Sequence, residues 1–159
     1  MNAWIGRSWT AQRKRLILGE SWWGPEESLH RYVRRWCEGR QPDAFLTCLF
    51  NACSGYQAQT ATFQQRLGFW DQLAFMNLVY WTVGRTNLTK ATTVYFKQAQ
   101  LDLRDFLVSL QPNVVWILGF TQASYSGPVI AGLGIKHIVT RHPRAGVSSA
   151  QLLADYSKL

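Results

Sequence analysis

Three polar side chains stand where a folded chain would ordinarily place apolar ones. Glu20 lies in RLILGESWWGP, residues 15–25, between a short apolar run and two tryptophans. Asn77 interrupts the apolar run LAFMNLVYW, residues 73–81. His142 follows the run KHIVT within RHPRAG, residues 141–146. A carboxylate held at the end of a buried strand can stabilise a developing positive charge or orient a water. A histidine can donate to a departing anion. An asparagine offers a donor and an acceptor together, enough to read the edge of a planar heterocycle. Plainer duties stay open for each: Glu20 pairing with an arginine or capping a helix, Asn77 tying backbone together, His142 shaping a loop beside Pro143.

The elements that must position these residues follow from hydrophobic period and punctuation. Residues 15–18 form a short buried strand that ends at Gly19. Pro25, Glu26 and Glu27 suit a helix start, with proline in the first turn and acids at the positive end of the dipole. That helix runs to about Gly39, with Leu29, Val33 and Trp36 on one face and His30, Arg31, Arg34 and Arg35 on the other. Asp43 caps a second helix to about Ala52, closed by Ser54 and Gly55. TATFQQRLGFW is a short helix, residues 73–81 a second buried strand and GRTNLTK, residues 84–90, a polar loop. Thr92 or Thr93 opens a helix to about Leu110, which Pro112 stops. NVVWILG is a third strand, TQASYSGPVIAGLG a loop with a short helix, KHIVT a fourth strand, and VSSAQLLADYSKL a final helix capped by Ser148 or Ser149. Unalternating apolar strands joined by helices mean a parallel sheet covered on both faces. The expected architecture is a three-layer α/β/α sandwich with a central four-stranded parallel sheet, in a single domain over residues 1–159. Ligands of such sheets sit beyond the carboxyl ends of the strands, where Glu20, Asn77 and His142 all fall.

Composition narrows the partner. The 159 residues carry 17 Lys and Arg against 9 Asp and Glu, a net charge of +8, and such an excess favours a polyanion, above all nucleic acid. Apolar residues make up 47% of the chain and charged residues 16%, which fits a folded globular chain rather than a disordered one. The eight tryptophans are core material, with a few to spare for stacking on bases. Cys37, Cys48 and Cys53 are odd in number and lack metal-ligand spacing, so neither a disulfide framework nor a zinc or iron–sulfur site is expected. No apolar stretch approaches the roughly 20 residues that span a bilayer, and LIL is too short for a signal-peptide core. A cytoplasmic monomer with no metal and no cofactor is the expectation.

Taken with their order and strand contexts, Gly19-Glu20-Ser21-Trp22-Trp23-Gly24, Asn77 and His142-Pro143-Arg144-Ala145-Gly146 resemble the motifs of the uracil-DNA glycosylase superfamily over nearly the whole chain. Members carry G-Q-D-P-Y, G-E-A-P-G or G-I-N-P-G after the first strand, an asparagine late in the second, and H-P-S or similar after the last. The resemblance implies a DNA glycosylase that flips a uracil or modified pyrimidine out of DNA and hydrolyses its glycosidic bond. It implies catalytic roles for Glu20, facing the sugar, and His142, donating to the leaving base. Asn77 would read the base, Phe45 or else Phe50 would stack on it, and Ser21, Trp22 and Trp23 would wall its pocket. Arg144 would hold phosphate or fill the gap in the duplex, Val147 would act as a wedge, and Arg31, Arg34, Arg35 and Arg141 would contact phosphates.

This chain departs from the pattern at Ser21 and Trp22, where relatives carry Asp, Ala or Asn and then proline. Trp23 stands where uracil-specific members place a tyrosine that excludes 5-substituted bases, which leaves the base open. Two other readings accompany the first: a non-catalytic DNA-binding relative, and a hydrolase of small nucleosides or nucleotides. A charge of +8 exceeds what a mononucleotide needs and weighs against the latter.

Overall fold

The computed structural model of the chain describes residues 2–10, 14–23, 27–84 and 91–159, and of Trp23 the backbone alone. The expected helix start at Pro25 and Glu26, Gly24 of the first motif, and the polar loop over 85–90 lie outside the described residues, as does the Trp23 side chain. In chain order the elements are β1 (Trp4–Ile5), β2 (Arg15–Trp23), α1 (Leu29–Cys37), α2 (Ala44–Cys53), α3 (Phe63–Trp70), β3 (Ala74–Gly84), α4 (Thr93–Leu110), β4 (Val114–Leu118), α5 (Phe120–Gly132), β5 (Lys136–Thr140) and α6 (Ser149–Tyr156). This is an α/β fold on one sheet of order β1-β3-β2-β4-β5.

The strands β2 to β5 run parallel, in the registers Leu16↔Ala74, Ile17↔Trp116 and Trp116↔Ile138. The period of two along each strand splits their side chains between two cores. Ile17, Phe75, Trp116 and Leu118 join residues of α1, α2, α3 and α6. Leu16, Leu18, Met76, Val115 and Ile117 join residues of α4 and α5. Helices therefore cover both faces, which is why these strands are apolar without alternation.

The expected all-parallel sheet of four strands is corrected by a fifth. β1 pairs antiparallel with β3, Trp4 opposite Phe75 and Ile5 opposite Ala74, making the sheet mixed. Two residues carry no period of their own. What fixes the strand is long-range: Trp4 is 2% exposed, and its indole N–H donates to the Trp70 carbonyl at 2.8 Å.

Three element boundaries also differ from expectation. β2 does not end at Gly19 but continues to Trp23, paired with β3 alone past Leu18 and with register shifts around Trp22. A glycine reads as a strand stop, yet this one is required by close approach: a Cβ on Gly19 would lie 2.3 Å from Asn77 Oδ1. α1 begins at Leu29, because Ser28 caps it by accepting from the Arg31 N–H, with Glu27 left outside. The segment read as a loop with a short helix is the 13-residue α5. Its serines satisfy themselves within the helix, Ser124 donating to the Thr121 carbonyl and Ser126 to the Gln122 carbonyl. Burial of Gln122, Ser126 and Ile130 then outweighs the loop-forming preference of the serines. The caps at Asp43, Thr92 and Ser148 lie where the sequence put them. No helix among the described residues is long and apolar enough to cross a membrane.

Candidate functional site

A cleft of about 700 Å³ opens at the carboxyl end of the parallel strands. Its floor comes from β2 and β3. Glu20, Ser21 and Trp22 contribute from the length of β2 that continues beyond its pairing with β4. Phe75 and Asn77 contribute from β3, with Asn77 opposite Gly19 in the register. Asn77 is 8% exposed. Its amide, lying over the bare backbone of Gly19, makes no hydrogen bond among the described residues. The Ser21 hydroxyl is likewise buried without a partner there. Glu20 is half-buried at the same edge.

One wall is built by the start of α2. Phe45 presents its ring to Phe75 and to His142, with centroids 5.5 Å apart in each pair. Phe50, the other aromatic considered for stacking, is fully buried among Trp36, Tyr56 and Phe69 and does not line the cleft. Asp43 caps α2, its Oδ1 accepting from the Leu46 N–H at 2.7 Å. Its Oδ2 accepts from the Tyr32 hydroxyl of α1 at 2.6 Å. Tyr32 in turn meets the Trp22 ring edge-on at 4.4 Å. Burial, and then the neighbouring Asp43 carboxylate, push the Tyr32 phenol above its ordinary pKa, so its proton stays in place.

The opposite lip is the turn after β5. His142 Nδ1 accepts from the Arg144 backbone N–H at 3.2 Å, and the His142 carbonyl accepts from the Ala145 N–H. Burial and the nearby Arg144 lower the His142 pKa against a smaller opposing pull from Asp43. The imidazole is thus neutral near pH 7, and with Nδ1 engaged as an acceptor its proton resides on Nε2. A buried hydrogen-bond chain holds the strand behind it. Trp116 donates to the Thr140 hydroxyl at 2.7 Å, and that hydroxyl donates to Asp155 Oδ2 at 2.7 Å. Lys158 and Gln151 complete the carboxylate of Asp155 from α6.

The cleft therefore gathers Glu20, Ser21, Trp22, Phe45, Asn77, His142 and Arg144 from the residues singled out in the sequence. Phe50, Val147, Arg31, Arg34, Arg35 and Arg141 are not among the residues that line it. Val147 is half-buried and packs against the core under α1, α2, α3 and α6, so its side chain is drawn inward rather than presented as a free wedge. Arg34 pairs with Glu38 at 3.3 Å and Arg35 with Glu27 at 3.3 Å, so both guanidinium groups already hold a carboxylate. Arg141 is exposed beside the lip. Tyr32 and Asp43 line the cleft without having been singled out for it. Asp43 was legible only as a cap, and Tyr32 sits between the two faces of α1 with nothing in its spacing to mark it. Burial pushes the Cys37 and Cys53 thiols up to about 12, which removes them from nucleophilic chemistry. No family model matches the chain, and no curated protein matches it.

Proposed function

We propose that this protein is a DNA glycosylase of the uracil-DNA glycosylase kind, which flips a uracil or modified pyrimidine from DNA and hydrolyses its N-glycosidic bond. The observation that carries the reading is the convergence of Glu20, Asn77, Phe45 and His142 on one cleft, although they are far apart in sequence. An α/β sheet with its cleft at the carboxyl ends of the strands supports it, as does the charge of +8, which suits a phosphate backbone.

The chemistry follows from the groups present. A flipped base lies against the Phe45 ring, and the Asn77 amide, with one donor and one acceptor to offer, pairs with its edge. The C1′–N1 bond breaks with its electron pair leaving on the base, so positive charge develops on the sugar and negative charge on a base oxygen. Glu20 faces the sugar, stabilises that charge and orients the water that adds to C1′. His142 Nε2–H donates to the base oxygen, and a neutral imidazole does this without surrendering its proton. The water supplies a hydroxyl to C1′ and its proton leaves to the solvent or the departing base. The Phe45, Phe75 and Trp22 rings supply the apolar part of the wall beside the base and displace water there, which strengthens each of these interactions.

The decisive experiment incubates the protein with single- and double-stranded oligonucleotides carrying uracil, thymine or a 5-substituted pyrimidine, followed by hot alkali. Strand scission at the modified position is the expected result. DNA binding without scission on any substrate would assign the chain to the non-catalytic reading, and hydrolysis of free nucleosides alone to the small-substrate reading.

A further inference from the structure

The helix α4 turns Phe96, Ala99, Leu103 and Leu107 into the core beneath it. Its opposite side is not polar throughout. Val94 and Leu101 are each 70% exposed, and Val108 is 55% exposed. Isolated exposed aliphatic residues are ordinary, but these three are spaced seven residues apart. Seven residues make nearly two turns, so the three form one line about 21 Å long down the outer face of the 18-residue helix. At about 100° per residue, Lys97 and Arg104 flank that line about 40–60° to one side, and Gln98 and Asp105 lie as far to the other. All four are exposed. None of them makes an ion pair or hydrogen bond among the described residues. Asp102, further round on the Asp105 side, accepts from the Tyr80 hydroxyl. The apolar line thus has one basic border and one acidic border.

Such a surface complements itself in one orientation only. Were two copies of α4 to lie antiparallel, the two-fold axis would bring like borders together. Lys97 and Arg104 of both copies would share one rim, and both Asp105 side chains the other. In a parallel pair the axis runs along the helices and sets the basic border of each copy against the acidic border of the other. Arg104 then stands beside Asp105 of the second copy on both rims. Val94, Leu101 and Val108 each meet their own counterpart in the seam, as in a short parallel coiled coil. We infer that this face of α4 joins two copies of the chain as a parallel two-fold dimer, in place of the monomer expected from the sequence. The aliphatic line supplies the attraction, and the unlike borders set partner and orientation. The chain enters α4 from the carboxyl end of β3, so the N-terminus of α4 lies at the cleft end of the sheet. Parallel pairing therefore turns both clefts to the same side, where one extended polyanion can span them. The pairing does not depend on the reaction in the cleft.

The test is sedimentation equilibrium of the full chain. The seam is short, so the series runs from about 1 μM to about 1 mM protein. Salt at about 0.15 M screens the mutual repulsion of two chains that each carry a charge of +8. The mass should rise with concentration from 18.2 kDa towards twice that value. Leu101→Glu places two carboxylates at the centre of the seam and should weaken association by on the order of 30-fold. Arg104→Asp sets like charges side by side on both rims and should weaken it about tenfold. Adding Asp105→Arg to that variant should restore it. These positions are exposed, so the thermal midpoint of the monomer should hold nearly constant. Val94→Cys and Val108→Cys report the orientation. Under oxidation with copper phenanthroline in air, each variant alone should form a disulfide-linked dimer that the parent does not. Linkage only when the two variants are mixed means an antiparallel pair and overturns the inference. So does a dimer that Leu101→Glu leaves intact. A chain that stays monomeric through the whole series overturns it too, and leaves the stripe to a different protein.

Discussion

Replacing Gly19 with alanine should damage the site while leaving the fold almost untouched. The backbone at Gly19 is ordinary extended strand, so an alanine meets no conformational penalty there. What it meets is the Asn77 amide. The new Cβ would lie 2.3 Å from Asn77 Oδ1, against the 3.0 Å below which real contacts are essentially never found, so the amide must withdraw by at least 0.7 Å. It is the end of a side chain and can swing, at a cost of about 1 kcal/mol for an off-rotamer torsion. Misplacing a positioning group by about 1 Å costs on the order of 100-fold in rate. Single-turnover base release by Gly19→Ala should therefore fall about 100-fold, while the urea midpoint shifts little and DNA affinity holds, since affinity rests mainly on phosphate contacts. A double-mutant cycle sharpens the expectation. If the alanine acts through Asn77, then in an Asn77→Ala background it should add almost nothing. Excision at the parental rate by Gly19→Ala, or full additivity with Asn77→Ala, would refute the assignment of Asn77 as the positioned reader of the base.

The remaining expectations are independent of that one. Glu20→Gln and His142→Ala should each slow base release by about 100- to 1000-fold with DNA binding retained, and their effects should not multiply, since both act on one transition state. An unchanged Glu20→Gln rate would move the role to Ser21 or to a water held by backbone groups. DNA affinity should fall steeply with salt, and Arg144→Ala should reduce the slope of log K against log salt by about 1. Arg34→Ala should change it less, because that guanidinium already holds Glu38. For His142 the folded value lies below the 6.5 of a free imidazole, so between the two the unfolded chain takes up a proton that the folded chain refuses. Stability should be full above pH 6.5 and decline as the pH drops through that range, and urea unfolding of His142→Gln should show a flatter decline. Thr140→Val removes the hydroxyl between Trp116 and Asp155, leaves the buried Trp116 indole N–H without its acceptor while Gln151 and Lys158 still serve Asp155, and should cost about 1–3 kcal/mol of unfolding free energy.

What the sequence disclosed, and what it hid, divides along physical lines. β2, β3 and β4 were legible because the stretches where they pair are buried on both faces and so are apolar without alternation, while β5, at the sheet edge and partly exposed, was legible from its short β-branched run between Gly134 and Pro143. Asp43 and Ser148 were legible as caps because capping is a local bond between a side chain and a backbone amide three residues on. Glu20, Asn77 and His142 stood out because each interrupts or ends an apolar run. β1 was illegible, since two residues have no period and Trp4 is placed by Phe75 and Trp70, about seventy positions away in the chain. The extension of β2 through Trp23 was hidden by Gly19, whose lack of a side chain serves Asn77 rather than a turn. Tyr32 could not be assigned to the cleft because its partners, Asp43 and Trp22, lie on two other elements and meet it only in the folded chain.

The position of the cleft follows from where one strand stops. β2 pairs with β4 only as far as Leu18 opposite Ile117, and β4 itself ends at Leu118. There the chain turns away through Gly119, at a φ of 132° that disfavours any side chain, and a Cβ would also strike the buried Gln122 amide at 2.5 Å. Gln122 donates to the carbonyl of Leu118 and so fastens the end of the strand beneath the start of α5. β2 meanwhile runs on with β3 as its partner. The chain leaves β2 for β3 on one side and returns across it to β4 on the other, which makes the gap between β2 and β4 the point where the winding reverses. No strand among the described residues occupies the β4 side of Glu20 and Ser21. The loop after β5 brings His142 to the same end of the sheet, and the start of α2 brings Phe45 against it. β4 and β5 stop early while β2 and β3 run on, which is enough to leave a polar-edged hollow in an otherwise apolar sheet, and the residues whose chemistry was visible in the sequence border it.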